Sequence, residues 1–312
     1  MSLACAFAAA LNPAKKEEIF IWYLKDGCAQ VERKAVRDFL DEPTSRTPAS
    51  VRAETDDDFV AAADAAAPNY EPFSSCVNFG CAAHETAMFV FGIRDDKAVC
   101  MVSPTYCKLA KKAVATEYTI AACARHKQGT PGALEKVSVF YIEKPTNENV
   151  KVKQFDLDTR KYSTLVASPN QDSQLCATYM VPVGHTTKVP FVFYQRGTTI
   201  VEHDTVNKID NVLTKISGIP KTTPLATCEF QNSTFLFWLS SGFVLMYCRR
   251  QDGKWGQATA VPANPGGSEP QIADTQSDLA VVAYPAKNCI LIYYLAKDSE
   301  QDYDYFTWKE PS

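Results

Sequence analysis

The stretch PFVFYQ at residues 190–195 decides the fold, because five further segments of the chain are built like it. They read IFIWYL at 19–24, MFVFGI at 88–93, VSVFYI at 137–142, TFLFWL at 234–239 and ILIYYL at 290–295. Each is short, rich in β-branched and aromatic residues, and lacks the 3.6-residue period of an amphipathic helix, so each predicts a buried strand. Their starts lie 69, 49, 53, 44 and 56 residues apart, a mean of about 54, and six such units fill the chain. A repeat of that size marks a solenoid, a propeller or an array.

Each of these strands has a companion on either side. Before it come LACAFAA (3–9), CVNFGC (76–81), TIAACAR (119–125), LCATYM (175–180), PLATCEF (224–230) and LAVVAY (279–284), whose small residues suit a place where several strands converge. After it come AQVERKAV (29–36), AVCMVS (98–103), NVKVKQFDL (149–157), TIVEHDTV (199–206), FVLMYCRR (243–250) and DYDYFTW (302–308), several alternating with period two. Turn chemistry such as KDGC and QRGTT separates second from third strands. A fourth, more variable strand is predicted in KYSTLVA (161–167) and KWGQATAV (254–261). Three or four antiparallel strands repeated six times predict an all-β, six-bladed β-propeller, a single domain over residues 1–312 whose ends meet to close the ring. Small first strands would line the central channel, and aromatic second strands would pack between blades. The connector 40–75, rich in proline and small residues and carrying Asp56–Asp58, is expected to be largely loop, either a functional lid or a surface excursion plus the first blade's outer strand.

Composition narrows the function. With 46% apolar and 22% charged residues the chain is an ordinary globular one, not a disordered one. A net charge of −4 argues against nucleic acid as a partner. No run approaches the ~18 apolar residues of a membrane span. The 11 cysteines are odd in number and sit mostly in apolar runs, where thiols act as small hydrophobes. Cys76/Cys81 and Cys100/Cys107 lack zinc-site spacing, so neither a metal nor a disulfide framework is expected. MSLACAFAAAL has no positive residue before its apolar run and makes a poor signal peptide, so a reducing, cytoplasmic location is expected. There is no G-x-S-x-G, H-E-x-x-H or Walker pattern, and no cofactor is expected.

Six short blades with this second-strand pattern resemble the fungal fucose-specific lectins, and the resemblance covers essentially the whole chain. In that family each sugar site lies between blades and uses an Arg on the second strand, a Glu on the third and an aromatic from the next blade. The Arg position here reads Phe20, Phe89, Ser138, Phe191, Phe235 and Leu291, and the Glu position is matched at Glu32 and Glu202. An empty arginine column leads to the expectation that fucose is not bound strongly. Within the fold the chain is also similar to the intermolecular hetero-Diels–Alderases of tropolone–sesquiterpenoid biosynthesis, which resemble the lectins without their Arg/Glu pattern. That resemblance implies a cofactor-free enzyme that assists loss of water from a hydroxymethyl tropolone-type polyketide and steers the resulting quinone methide onto a humulene-type terpene alkene. The alternative is a lectin, or a lectin-like binding module without catalysis. A homodimer is one expected assembly.

The polar and aromatic residues on the first strands are the site candidates. Glu229, Tyr179, Arg125 and His126 are the expected catalytic set: a carboxylate near a channel wall as general acid or base, an Arg or Tyr polarising a carbonyl. Phe7, Asn78, Tyr284, Tyr194 and Trp238 are the expected substrate-binding residues. The plain alternatives are that Glu229 pairs with a nearby Lys or Arg and that the aromatics plug the channel. Tyr23, Tyr141, Tyr194, Trp238 and Tyr294 form one column of the repeat, for which packing between blades is the default. His84, His126 and His185 fall between first and second strands and are expected as exposed loop residues on one face. His203 and the doublet Arg249–Arg250 are likewise expected to face solvent.

Overall fold

A computed structural model describes residues 7–12, 15, 17–25, 28–35, 79–83, 88–94, 96–103, 107–109, 115, 119–126, 134–144, 149–264, 269–299 and 303–309. The connector 40–75 lies outside these residues. The strands fall into six antiparallel sheets, each starting at the axis with its first strand and stepping outward along the chain. Blade 1 is β1 (Phe7–Leu11), β2 (Glu18–Lys25) and β3 (Cys28–Ala35). Blade 2 is β4 (Gly80–Ala83), β5 (Met88–Ile93), β6 (Val99–Ser103) and β7 (Cys107–Lys108). Blade 3 is β8 (Ile120–His126), β9 (Leu134–Glu143), β10 (Lys151–Asp156) and β11 (Lys161–Thr164). Blade 4 is β12 (Cys176–Met180), β13 (Val189–Arg196), β14 (Thr199–Asp204) and β15 (Ile209–Val212). Blade 5 is β16 (Leu225–Phe230), β17 (Ser233–Leu239), β18 (Leu245–Gln251), β19 (Lys254–Trp255) and β20 (Thr259–Ala260), the last two both pairing with β18. Blade 6 is β21 (Ala280–Tyr284), β22 (Cys289–Tyr294) and β23 (Asp304–Trp308).

The inner strands touch in the cyclic order β1, β4, β8, β12, β16, β21 and back to β1, so the chain forms a closed six-bladed β-propeller. The six aromatic segments are the second strands, as their pattern predicts. The first strands of blades 1 and 2 run past their expected ends, to Leu11 and Ala83. The axis is lined by small residues such as Ala9, Gly80, Ala121, Cys176, Ala226 and Ala280. Crowding there is severe at Gly80, where an added Cβ would lie 3.0 Å from backbone atoms of Ala121 and Ala122.

Each inner sheet is buried on both faces, because it has a blade on either side. Phe191 and Phe193 pack with Leu236 and Trp238 of blade 5. Val192 and Tyr194, one residue out of phase, pack with Phe140 and Ile142 of blade 3. The column Tyr23, Tyr141, Tyr194, Trp238 and Tyr294 is buried throughout, as inter-blade packing requires. Full burial of one such apolar side chain stabilises by about 1.5–3 kcal/mol. Antiparallel pairing brings the first-to-second connections and the third-to-fourth turns to one end of the propeller, called here the upper face. No helix among the described residues is long and apolar enough to cross a membrane. All eight cysteines whose side chains are described are free thiols.

Candidate functional site

A cavity of about 370 Å³ opens on the upper face between blades 4 and 5. Its blade 4 wall is the end of β12 and the connection after it, from Tyr179 through Gly184. Its blade 5 wall carries Glu229, Asn232, Thr234, Arg250 and Asp252, with Lys188 reaching across from blade 4. Arg250 sits on β18 opposite Thr234 and Trp255, and strand alternation turns it toward blade 4. Its side chain is 9% exposed. One Nη donates to the carbonyl of Val181 at 3.2 Å, the other lies 3.9 Å from Glu202 Oε1, and the guanidinium carbon stands 5.7 Å from the Phe191 ring centroid. Its Nε is buried without a hydrogen-bond partner.

Glu202, on β14, is 4% exposed and accepts a hydrogen bond from the Trp255 indole of blade 5. Burial pushes its carboxyl up from the ordinary carboxylate value, opposed by the Trp255 hydrogen bond and the Arg250 charge. Phe191, Glu202, Arg250 and Trp255 therefore form one cluster beneath the pocket: a cation, an anion and two aromatic faces drawn from two blades.

Three of the four residues expected to be catalytic meet around Lys188. Its Nζ holds both carboxylate oxygens of Glu229, at 2.6 and 2.5 Å, and its carbonyl accepts from Arg125 Nη1 at 2.6 Å. The Arg125 guanidinium lies 5.8 Å from the Tyr179 ring centroid. The Tyr179 hydroxyl is within 3.1 Å of Ser138 Oγ in the gap between blades 3 and 4, and Gln154 donates to the same Ser138 at 3.2 Å. Burial pushes the Tyr179 phenol above its ordinary value. Glu229 is not on a channel wall as expected: it is exposed at the end of β16 and ion-paired, whereas the residues lining the axis come from the beginnings of the first strands, Leu225–Thr227 in β16. His126 lies on β8 and Phe7 on β1, but their side chains, Asn78 and His84 fall outside the described residues.

The other expected ligand contacts lie away from this cavity. Tyr284 is buried in the packing of blade 6 against blade 1. Trp238 is buried between blades 4 and 5. The Tyr194 hydroxyl donates to Asp210 at 2.8 Å. Asp210 also holds Arg196 at 2.7 Å and His203 Nδ1 at 2.7 Å. His203 is thus fully buried, contrary to the expectation of a solvent-facing residue, since blade 3 covers the face opposite Glu202. Arg250 is likewise buried rather than part of an exposed turn, whereas His185 is exposed as expected.

Register corrects one further reading. Glu202 stands opposite Phe193, the fourth residue of its block, whereas Glu32 stands opposite Ile21, the third of its own. A shift of one residue turns a side chain to the other face. Val31 therefore occupies the Glu position of blade 1, and Glu32 points back at blade 6, accepting from Tyr303 at 2.6 Å and from Tyr23 of its own blade at 3.0 Å. In the gap between blades 5 and 6 the Arg and Glu positions are Phe235 and Tyr247, packed against Trp308 at 5.6 and 4.6 Å between centroids. Between blades 3 and 4 they are Ser138 and Gln154, which satisfy each other and Tyr179. Among the described residues, the cation–carboxylate–indole set occurs at the gap between blades 4 and 5. Lys188 was not singled out by the sequence, and Arg250 was read only as half of a solvent-facing doublet, because it enters its site from the third strand of the following blade. Among the described residues no group of three or more His, Cys, Asp or Glu is arranged to hold a metal ion.

No family model and no curated protein sequence matches the chain. Solved structures do match it over its full length. The SapL1 lectin in complex with α-methyl fucoside superposes with a TM-score of 0.64 at 10% identity, covering 100% of this chain and 95% of that one. The six-bladed lectin of Aleuria aurantia gives 0.64 at 12% identity, covering 98% and 92%. AofleA from Arthrobotrys oligospora gives 0.59 at 9% identity, covering 99% and 88%. The fold is that of the fungal fucose lectins. At such identities the likeness speaks for the fold alone, and ligand chemistry has to be argued from the residues in the gaps.

Proposed function

We propose that this propeller is a lectin-like binding protein whose site between blades 4 and 5 takes a hydroxylated small molecule, with a fucose-type sugar as the first candidate. The observation that carries this reading is Arg250. It lies over Phe191, the residue at the lectins' arginine position, and beside Glu202 with Trp255. Arg250 lines the cavity, where a cation can bind ring hydroxyls through charge-assisted hydrogen bonds, and Glu202 with Trp255 is buried beneath it beside that charge. The empty arginine column argued against fucose only while each blade was read by itself. The test is a glycan array followed by titration of the best hit. Selective, competable binding that is lost in Arg250→Met supports the reading, and an array with no selective hit removes it.

A second reading is the cofactor-free hetero-Diels–Alderase. What favours it is that Tyr179 and Glu229 line one cavity with Lys188, whose carbonyl Arg125 holds from blade 3. Positioning two apolar partners in a reacting geometry can supply up to ~7–11 kcal/mol of a barrier. Against it, the Tyr179 hydroxyl is engaged by Ser138 and both Glu229 oxygens by Lys188, so neither is held ready to donate a proton in the free protein. Incubation with a hydroxymethyl tropolone and humulene, followed by chiral chromatography, tests it: rate gain and stereochemical bias over buffer support catalysis, and neither appearing removes it.

A further inference from the structure

The two walls of the cavity differ in chemistry. Blade 4 presents Met180, Val181, Pro182 and Val183 in sequence, whereas blade 5 presents Glu229, Thr234, Arg250 and Asp252. Val183 is 75% exposed and Val181 36% exposed, an unusual amount of bare valine at the edge of a polar pocket. The turn after β14 adds Val206 and Ile209 on the same upper face, both well exposed. This apolar lip is ordered rather than loose. Arg250 holds the Val181 carbonyl and Arg125 holds the Lys188 carbonyl, pinning the connection at both ends. In between, the Val183 side chain lies against Gly253, where any Cβ would come within 2.9 Å of Val183 Cγ2. Gly253 also has φ +77°, so the turn that receives the valine is itself fixed.

A surface already held in its binding conformation loses little entropy when a ligand covers it. The cavity, about 370 Å³, falls within the ~300–1,000 Å³ range of sites for drug-sized molecules. A sugar ring alone would satisfy the polar wall and leave the valine lip in water.

We infer that the ligand of this site is an amphipathic glycoside: a sugar whose hydroxyls face the Arg250 wall and whose hydrophobic aglycone lies on Val181 and Val183. The inference rests on the site assigned above and adds the aglycone to it. Two methylenes buried on the lip correspond to about a tenfold gain in affinity.

The test is calorimetric titration of the full chain with matched methyl and n-hexyl α-L-fucosides, repeated with the matching pair of whichever sugar the array favours. The expected result is that the hexyl glycoside binds about tenfold tighter than the methyl one. In a Val181→Ser/Val183→Ser variant that ratio should fall to within about twofold, while Arg250→Met should weaken both ligands. Equal affinities in the unaltered protein, or a hexyl advantage that survives the serine variant, overturn the aglycone and leave the sugar site standing. Binding of neither glycoside overturns both.

Discussion

Arg250 of blade 5 lies over the ring of Phe191 of blade 4, its guanidinium carbon 5.7 Å from the ring centroid. The contact places a cation where the lectins' arginine column has none in this chain, and it does so from the neighbouring blade. Replacing Arg250 removes the charged hydrogen bond to the Val181 carbonyl and the charge facing Glu202. Arg250→Met should cost about 1.5–3 kcal/mol of stability in urea unfolding. Arg249→Met, whose side chain faces blade 6 over Phe235, should leave the pocket's ligand affinity unchanged.

Glu202 makes stability depend on pH in a definite direction. Its folded-state value is raised above the ordinary carboxylate value of 4.5, first by burial. A carboxyl raised on folding contributes stability that is fully present below its unfolded value and is lost as pH rises through its folded value. Between about pH 4.5 and the raised value the fold should therefore lose part of Glu202's contribution as pH climbs. Glu202→Gln should flatten that slope in denaturant melts taken across this range. An unchanged slope would show that other carboxylates set it.

Glu32 joins the first and last blades. It accepts from Tyr303 and Tyr23, residues 271 and nine positions away in sequence. The described sheets of blades 1 and 6 each draw on one end of the chain, so ring closure there rests on side chains and inner-strand packing. Glu32→Ala should cost about 1.5–3 kcal/mol for the loss of charged hydrogen bonds. Glu229→Gln, which breaks an exposed pair with Lys188, should cost no more than about 1 kcal/mol. Equal effects of the two would contradict the closing role of Glu32.

Gly80 has no room for a side chain. Gly80→Ala puts a Cβ 3.0 Å from the backbone of Ala121 and Ala122, atoms that cannot swing aside. A cost of about 1–3 kcal/mol is expected, read as a fall in melting temperature.

The sequence made the propeller legible and the site much less so. Buried second strands announce themselves through runs such as TFLFWL, since both faces need apolar side chains. That same two-sided burial hides which polar residue on a third strand faces which neighbour. Glu32 and Glu202 look alike in sequence, yet one residue of register sends the first to blade 6 and the second to blade 5. His203 looks like an exposed partner of Glu202, but a strand with blades on both sides has no solvent face. Arg250 was visible as half of a charged doublet. Its place over Phe191 depends on the distance between two blades, which no column of the repeat records. Tyr179, Arg125 and Glu229 were legible as polar breaks in small-residue strands. Their convergence around Lys188 required the three-dimensional arrangement of the upper face.

The central claim is that Arg250 and its neighbours make the gap between blades 4 and 5 a site for a hydroxylated ligand. The most direct measurement is titration of α-methyl fucoside and the leading array glycan into the unaltered protein and into Arg250→Met. The account predicts saturable binding in the first and at least a tenfold loss in the second, the scale of one charged hydrogen bond. Saturable binding that Arg250→Met leaves intact, or no binding by the unaltered protein, would contradict it.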